Sequence, residues 1–286
     1  MGCERTVVID ELKICYVTNV QDLAVFESVD IGYFFEHDGY SIIRLANDRF
    51  KFFFEIIERD EVVALLKFGL YTDTMVERTY VYFRVSNHIL YDRERLKRLL
   101  DLPASFGMLF NNFTSLDLAV DSDLNYTSII KRMLRDRGLT TIINGKAIKD
   151  RKSLLTGVTF EYSTSLNRLR YPTITVKQKK AIINKNEGIT IQFYDKKAEI
   201  DNHSNKQYIL DYYGNPKRLY RLEDRLHYQE LKDYFSGKGI TPSIDVLNDS
   251  ELLRDMFIYH LSSVIRFSRG RNRIPWETLL RCNDGG

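Results

Sequence analysis

Alternation of apolar and polar positions dominates the first hundred residues. The runs "TVVIDELKICYV", "GYSIIRLA", "FKFFFEIIE", "VVALLKFGLY" and "RTYVYFRVS" are β-branched or aromatic and are separated by short polar breaks, which predicts strands. The period then lengthens. "YDRERLKRLLDLP" has charged first turns, helical leucine spacing and a stop at Pro103. A strand is predicted over "NNFTSLDLAVDSD". The helix "NYTSIIKRMLRDRG" follows, with Ile129, Ile130, Met133 and Leu134 on one stripe and Gly138 where a cap belongs. "GVTFEYS", "PTITVKQ" and "GITIQFYDKK" predict three more strands, and "LDYYGNPKR" holds turn residues. "LYRLEDRLHYQELKDYF" begins as a strand and runs into a helix, and "SIDVLNDSELLRDMFIYHLSSVIRF" has helical periodicity. The fold class expected is α+β, with antiparallel sheets covered by helices on one face.

The polar halves of four of these strands carry the chemistry. In "GITIQFYDKK", Ile189, Ile191 and Phe193 face a core, leaving Thr190, Gln192, Tyr194 and then Lys196 on the other side. In "SLDLAVD", Leu116, Leu118 and Val120 go inward, and Asp117 and Asp121 share the opposite face. Glu161 goes outward in "VTFEYS" with Thr159 and Ser163. In "LYRLEDRL", Tyr220, Leu222 and Leu226 go inward and Arg221, Glu223 and Arg225 outward. If these strands share a sheet, several carboxylates, two arginines, a phenol and a lysine occupy one surface.

Composition narrows the setting. A chain of 286 residues with 44% apolar content builds a core without staples. Cys3, Cys15 and Cys282 form no CxxC pair and no even framework, which fits a reducing cytoplasm. No apolar run approaches the roughly 20 residues of a membrane helix, so no membrane partner is expected. Net charge is only +3, but its distribution is uneven. Arg168, Arg170, Lys177, Lys179 and Lys180 open a basic stretch, and "RFSRGRNR" contributes Arg269 and Arg271. With Arg225 these are the candidate contacts to a nucleic-acid backbone, which would make binding salt-sensitive.

Carboxylates on rigid strands can hold Mg²⁺ or Mn²⁺, and the ion offsets charge developing on an attacked phosphate. A tyrosine hydroxyl, weak at its free pKa near 10, becomes a nucleophile when a neighbouring cation favours the phenolate. Competing chemistries lack their motifs. The chain has no GxGxxG or Walker-type phosphate loop, and its five histidines, His37, His88, His203, His227 and His260, form no HxH or HExxH.

The order "SLDLAVD", "IQFYDKKAEI", "YRLEDRLHYQELKDYF" resembles the replication initiators of filamentous phages, the gene II/X type, and the related plasmid replication initiation factor and relaxase group. There an R-x-D strand precedes a Y-x-K strand and an R-x-E strand that runs into a helix. The opening "VVIDELKICYV" resembles the first strand of the phage type, and the match covers roughly Asn111 to Phe235. The resemblance implies a core like that of the HUH nucleases, of ferredoxin/RRM-like type, without the HxH motif. It implies a metal-dependent endonuclease that nicks one DNA strand and starts rolling-circle replication through a 5′-phosphotyrosyl intermediate. Tyr194 matches the nicking tyrosine, Lys196 the lysine of Y-x-K, Arg221 the arginine of R-x-E, and Asp117 and Glu223 the acidic positions that would hold Mg²⁺ or Mn²⁺. Glu161 and Asp121 join as candidate metal ligands from alternation alone. Ser115 stands where R-x-D has arginine.

The expected partners are origin DNA, single-stranded or extruded as a hairpin, and a host helicase and polymerase; a dimer is one expected oligomeric state. The expected division is a β-rich portion over 1–105, itself a candidate DNA-binding element, a nicking core over 106–240, and a helical tail with its basic cluster over 241–286. Two other readings stay open: a relaxase for conjugative mobilisation, and a non-catalytic single-stranded nucleic-acid-binding module in which Tyr194 and Phe193 pack or stack on bases.

Overall fold

The computed structural model describes residues 6–70, 78–148, 158–161 (backbone only), 173–178 and 188–280. The chain forms two compact units, Asp10–Leu116 with Gly239–Asp245, and Met1–Ile9 with Asp117–Lys238 and Val246–Gly286. The fold is α+β, with antiparallel pairing throughout the registered strand pairs.

The first unit contains β1 (Val7–Asn19, from Asp10 on), α1 (Ala24–Glu27), β2 (Phe34–His37), β3 (Tyr40–Leu45), β4 (Phe50–Glu58), β5 (Glu61–Leu70), β6 (Arg78–Val85), α2 (Arg93–Ser105) and the first half of β7 (Leu109–Ser122). The five predicted opening strands are all present. β1 pairs with β6, and the meander β6-β5-β4-β3-β2 continues the sheet. Phe26, Phe54, Phe68 and Phe106 close its core, their ring centroids 4.7–6.0 Å apart about Phe26. Burying each such ring contributes about 1.5–3 kcal/mol. α2 starts where Asp92 accepts the Arg95 amide, and it includes Pro103 in its last turn.

The second unit contains the rest of β7, α3 (Tyr126–Arg135), β8 (Thr140–Ile143), β9 (Lys146–Ala147), β10 (Val158–Glu161), β11 (Thr173–Lys177), β12 (Thr190–Asp195), α4 (Lys196–His203), α5 (Gln207–Tyr212), β13 (Tyr220–His227), α6 (Tyr228–Lys238), α7 (Ser250–Val264), β14 (Ile265–Arg269), β15 (Asn272–Ile274) and α8 (Trp276–Leu280). Its main sheet has the order β10-β11-β12-β13-β7, and a small sheet has the order β15-β14-β8-β9. Ile191 and Phe193 are fully buried while Thr190, Gln192 and Tyr194 are half-buried, as the alternation requires. α3 packs behind β12, where Thr127 Oγ1 donates to the Phe193 carbonyl at 3.2 Å, and the Phe193 ring stacks on Trp276 at 6.3 Å.

Three local expectations are corrected. The Tyr194–Lys196 polar row stops early because Asp195 ends the strand: its side chain accepts the Ala198 amide and caps α4, so Lys196 is already helical. The tail helix ends at Val264, and Ile265–Phe267 instead pair with β8, where a β-branched and aromatic run gains a ladder. β8 and β9 were not anticipated. Asn144 and Gly145, at φ of 49° and 77°, form the tight hairpin turn that an Asn-Gly pair favours.

Candidate active site

β13 lies between β12 and β7. Its register sets Tyr194 opposite Arg221 and Gln192 opposite Glu223, so Tyr194, Gln192, Arg221, Glu223 and Arg225 share one face. The Tyr194 hydroxyl donates to Glu223 Oε2 at 2.6 Å. The other oxygen, Glu223 Oε1, accepts from Arg225 Nε at 2.7 Å, and the same Nε lies 3.7 Å from Asp117 Oδ2. Asp121 is engaged separately. Its two oxygens accept from Arg221 Nε at 2.7 Å and Nη2 at 2.5 Å, a bidentate pair excluded from solvent on both sides.

The sequence puts these groups on an outward polar face; the structure buries most of them. Asp117 is 6% exposed, Asp121 and Glu223 2%, and Arg221 not at all. Four consecutive β13 residues, Arg221 to Asp224, are buried, which requires cover on both faces of the strand. Charge placed there must be paired, and the arginines supply the pairing. Gln192, Tyr194 and Arg225 are the members that keep solvent contact, the Arg225 side chain being 47% exposed.

Lys196 sits differently from its expected place beside the hydroxyl. It is 2% exposed, its Nζ donates to Glu199 Oε2 at 2.9 Å, and it lies 5.7 Å from the centroid of the Tyr194 ring. It therefore presents positive charge to the face of the ring and not to the hydroxyl. Arg221 gives Nε and Nη2 to Asp121 and is shielded from solvent, so it ties β13 to β7 at this level. Ser115, on β7, is buried.

The candidate backbone contacts are dispersed. Arg269 is exposed at the end of β14 and pairs with Asp136 at 3.2 Å, Arg271 is exposed in the turn before β15, and Lys177 is exposed at the end of β11. Arg168, Arg170, Lys179 and Lys180 lie outside the described residues, as does the side chain of Glu161, whose backbone pairs with Thr173.

Two carboxylates suit a cation. Among the described residues no group of three or more His, Cys, Asp and Glu is arranged to hold a metal ion. Asp121 gives both oxygens to Arg221, which leaves Asp117 and Glu223, and these converge on one positively charged atom, Arg225 Nε. An all-oxygen pair on rigid strands matches the way Mg²⁺ is bound, through one or two carboxylates together with substrate phosphate. The donor set fits the ion, with the guanidinium now standing in the cation position.

Asp224 escaped the strand-face reading. Its parity places it with Leu222 and Leu226 on the apolar face, where an acid is unexpected. It is fully buried, its oxygens accept no hydrogen bond among the described residues, and His260 Nδ1 of α7 lies 3.7 Å away. Burial first, then the charges of Asp117, Glu223 and Glu230, push its carboxyl well above the ordinary range. The native chain thus keeps a proton that the unfolded chain releases. Stability falls as pH rises from the unfolded value, about 4, through the folded one. In thermal melts across pH, Asp224→Asn is expected to melt higher than wild type at pH 8, with the gap closing toward pH 4. Each kcal/mol recovered corresponds to about 2–4 °C, and parallel curves would contradict the assignment.

No described helix is long and apolar enough to cross a membrane. No family model matches the chain, and comparison with curated proteins and with solved structures finds no match either.

Proposed function

We propose that this chain is a DNA nicking and strand-transfer enzyme that works through a covalent 5′-phosphotyrosyl intermediate at Tyr194, with a core related to that of the HUH nucleases. The observation that carries the reading is the 2.6 Å hydrogen bond from the Tyr194 hydroxyl to Glu223 Oε2 on an otherwise paired and buried polar layer. A phenol that only packed would be buried in apolar surroundings. This one is half-buried, with its hydroxyl donating to a carboxylate and a lysine against its ring.

The step follows from those contacts. Glu223 Oε2 takes the Tyr194 proton as the phenolic oxygen attacks the scissile phosphorus. The new O–P bond joins tyrosine to the 5′ side of the break, the P–O3′ bond opens, and the leaving oxygen takes a proton from solvent to become a free 3′-OH that can prime synthesis. Strand transfer is the reverse attack by a 3′-OH, which gives its proton to solvent while the proton held by Glu223 returns to the phenol. Lys196 keeps its ammonium against the Tyr194 ring. A Mg²⁺ or Mn²⁺ ion held by Asp117 and Glu223 would offset charge on the phosphate oxygens. Arg225, Lys177, Arg269 and Arg271 supply exposed positive charge for the DNA backbone, with host helicase and polymerase as the implied partners for replication.

The test uses a random-sequence single-stranded DNA library with Mn²⁺ and a denaturing gel. Wild type is expected to leave protein-linked DNA ends. Glu223→Gln, which keeps the shape but cannot accept the proton as a base, is expected to slow linkage by about 10²–10⁴-fold. Full-rate linkage by that variant would remove Glu223 from the chemistry, and no linkage by wild type would overturn the reading.

A further inference from the structure

Arg225 reaches both Asp117 and Glu223, the two acids of this face that Arg221 does not hold. Its Nε is 2.7 Å from Glu223 Oε1 and 3.7 Å from Asp117 Oδ2. Those two oxygens belong to side chains only 2% and 8% exposed, whereas the arginine side chain is 47% exposed and has room to leave. The division of labour on Glu223 matters as much. Oε2 is occupied by the Tyr194 hydroxyl, so the oxygen contacted by Arg225 can change partner while the phenol keeps its hydrogen bond.

We infer that Arg225 is an exchangeable resident cation: its guanidinium neutralises Asp117 and Glu223 until a divalent ion takes its place, and the displaced side chain then turns outward to meet DNA phosphate. This rests on the reading of Asp117 and Glu223 as the ion's ligands. Two buried acids that meet at one guanidinium nitrogen repel each other without a counter-charge, so a cation between them is favourable before any ion arrives. An arginine serves because it stays charged at every working pH, while a single monodentate contact to each acid leaves it displaceable. The exchange has a linked consequence. Whatever draws Arg225 away, including a DNA phosphate, tightens ion binding, and ion binding frees Arg225 for DNA by the same factor.

The arrangement differs in kind from the neighbouring pair. Arg221 holds Asp121 by two parallel hydrogen bonds, with neither partner exposed, a geometry suited to permanence. The β13 sequence thus carries one fixed arginine and one displaceable one, four residues apart on the same face.

The experiment is titration of the full chain with Mn²⁺ in the absence of DNA, following the free-ion electron paramagnetic resonance signal. Arg225→Gln removes the competitor and is expected to bind Mn²⁺ about tenfold or more tightly than wild type, the equivalent of losing one charge-assisted hydrogen bond. Arg225→Lys retains a competing charge and is expected to stay within about threefold of wild type. Adding Asp117→Asn to Arg225→Gln is expected to abolish the gain, which locates the ion. Equal affinity of wild type and Arg225→Gln, or a gain that survives Asp117→Asn, overturns the exchange. Because nicking is not the readout, a failed exchange with intact DNA linkage leaves the phosphotyrosyl reading standing, and a failed linkage with the expected Mn²⁺ shifts does the opposite.

Discussion

Tyr194→Phe is expected to abolish protein-linked DNA while leaving noncovalent binding to the same DNA within about twofold. The phenylalanine ring keeps the strand position between Phe193 and Asp195 and the surface presented to Lys196. Only the hydroxyl is lost, and with it the oxygen that would bond to phosphorus. The variant also forfeits the hydrogen bond to Glu223, a charge-assisted contact worth about 1.5–3 kcal/mol, so a modest fall in melting temperature accompanies the loss. Two other tyrosines are the ready alternatives. Tyr220 pairs with Asp195 at the start of β13, and Tyr228 is 43% exposed at the start of α6 with Lys232 over its ring. Among the described residues neither has a carboxylate hydrogen bond like that of Tyr194, so phenylalanine at either position is expected to leave linkage intact. Persistent linkage in Tyr194→Phe would move the nucleophile to one of them.

The second large effect concerns stability. Asp121→Asn should destabilise the chain by about 3–5 kcal/mol, because it leaves the Arg221 guanidinium charged, buried and without its carboxylate. For a unit of this size that is a fall in melting temperature of about 10 °C or more. The double variant Asp121→Leu with Arg221→Met removes both charges and keeps the volume, and it is expected to melt within a few degrees of wild type. The pattern separates two explanations: if the pair merely filled space, the single variant would be mild, and if its charges acted on substrate, the double variant would melt normally but show no DNA linkage. Thermal denaturation of the three proteins, with linkage assayed alongside, decides between them. Because Arg221 lies two residues from Glu223 on the same face, the expectation is retained linkage in the double variant at reduced rate.

Much of this site could be read from the sequence because a strand has a period of two. Ile191 and Phe193 against Gln192 and Tyr194, and Leu222 against Arg221 and Glu223, alternate cleanly, and the register of β12 with β13 then brings phenol and acid together. Alternation assigns a side, however, and says nothing of what covers it. Alternation puts Asp117, Asp121 and Arg221 on a polar face, and the structure buries all three, so the ion pairs are visible only in three dimensions. Asp224 shows the converse failure. On the apolar parity an acid reads as an exception, yet burial there, with Asp117, Glu223 and Glu230 nearby, is what shifts its carboxyl. Lys196 was misplaced by one residue of strand, since a capping aspartate at 195 ends the extended run before it. The β8–β9 hairpin had a signal that could have found it, the Asn144-Gly145 pair between short β-branched runs.

The most direct measurement is mass spectrometry of the protein after reaction with single-stranded DNA, nuclease trimming and proteolysis. A nucleotide attached to the peptide containing Tyr194, with fragmentation placing the phosphate on that phenolic oxygen, is the predicted result. A nucleotide carried by any other side chain, or a protein that cleaves DNA yet carries none, would contradict the account.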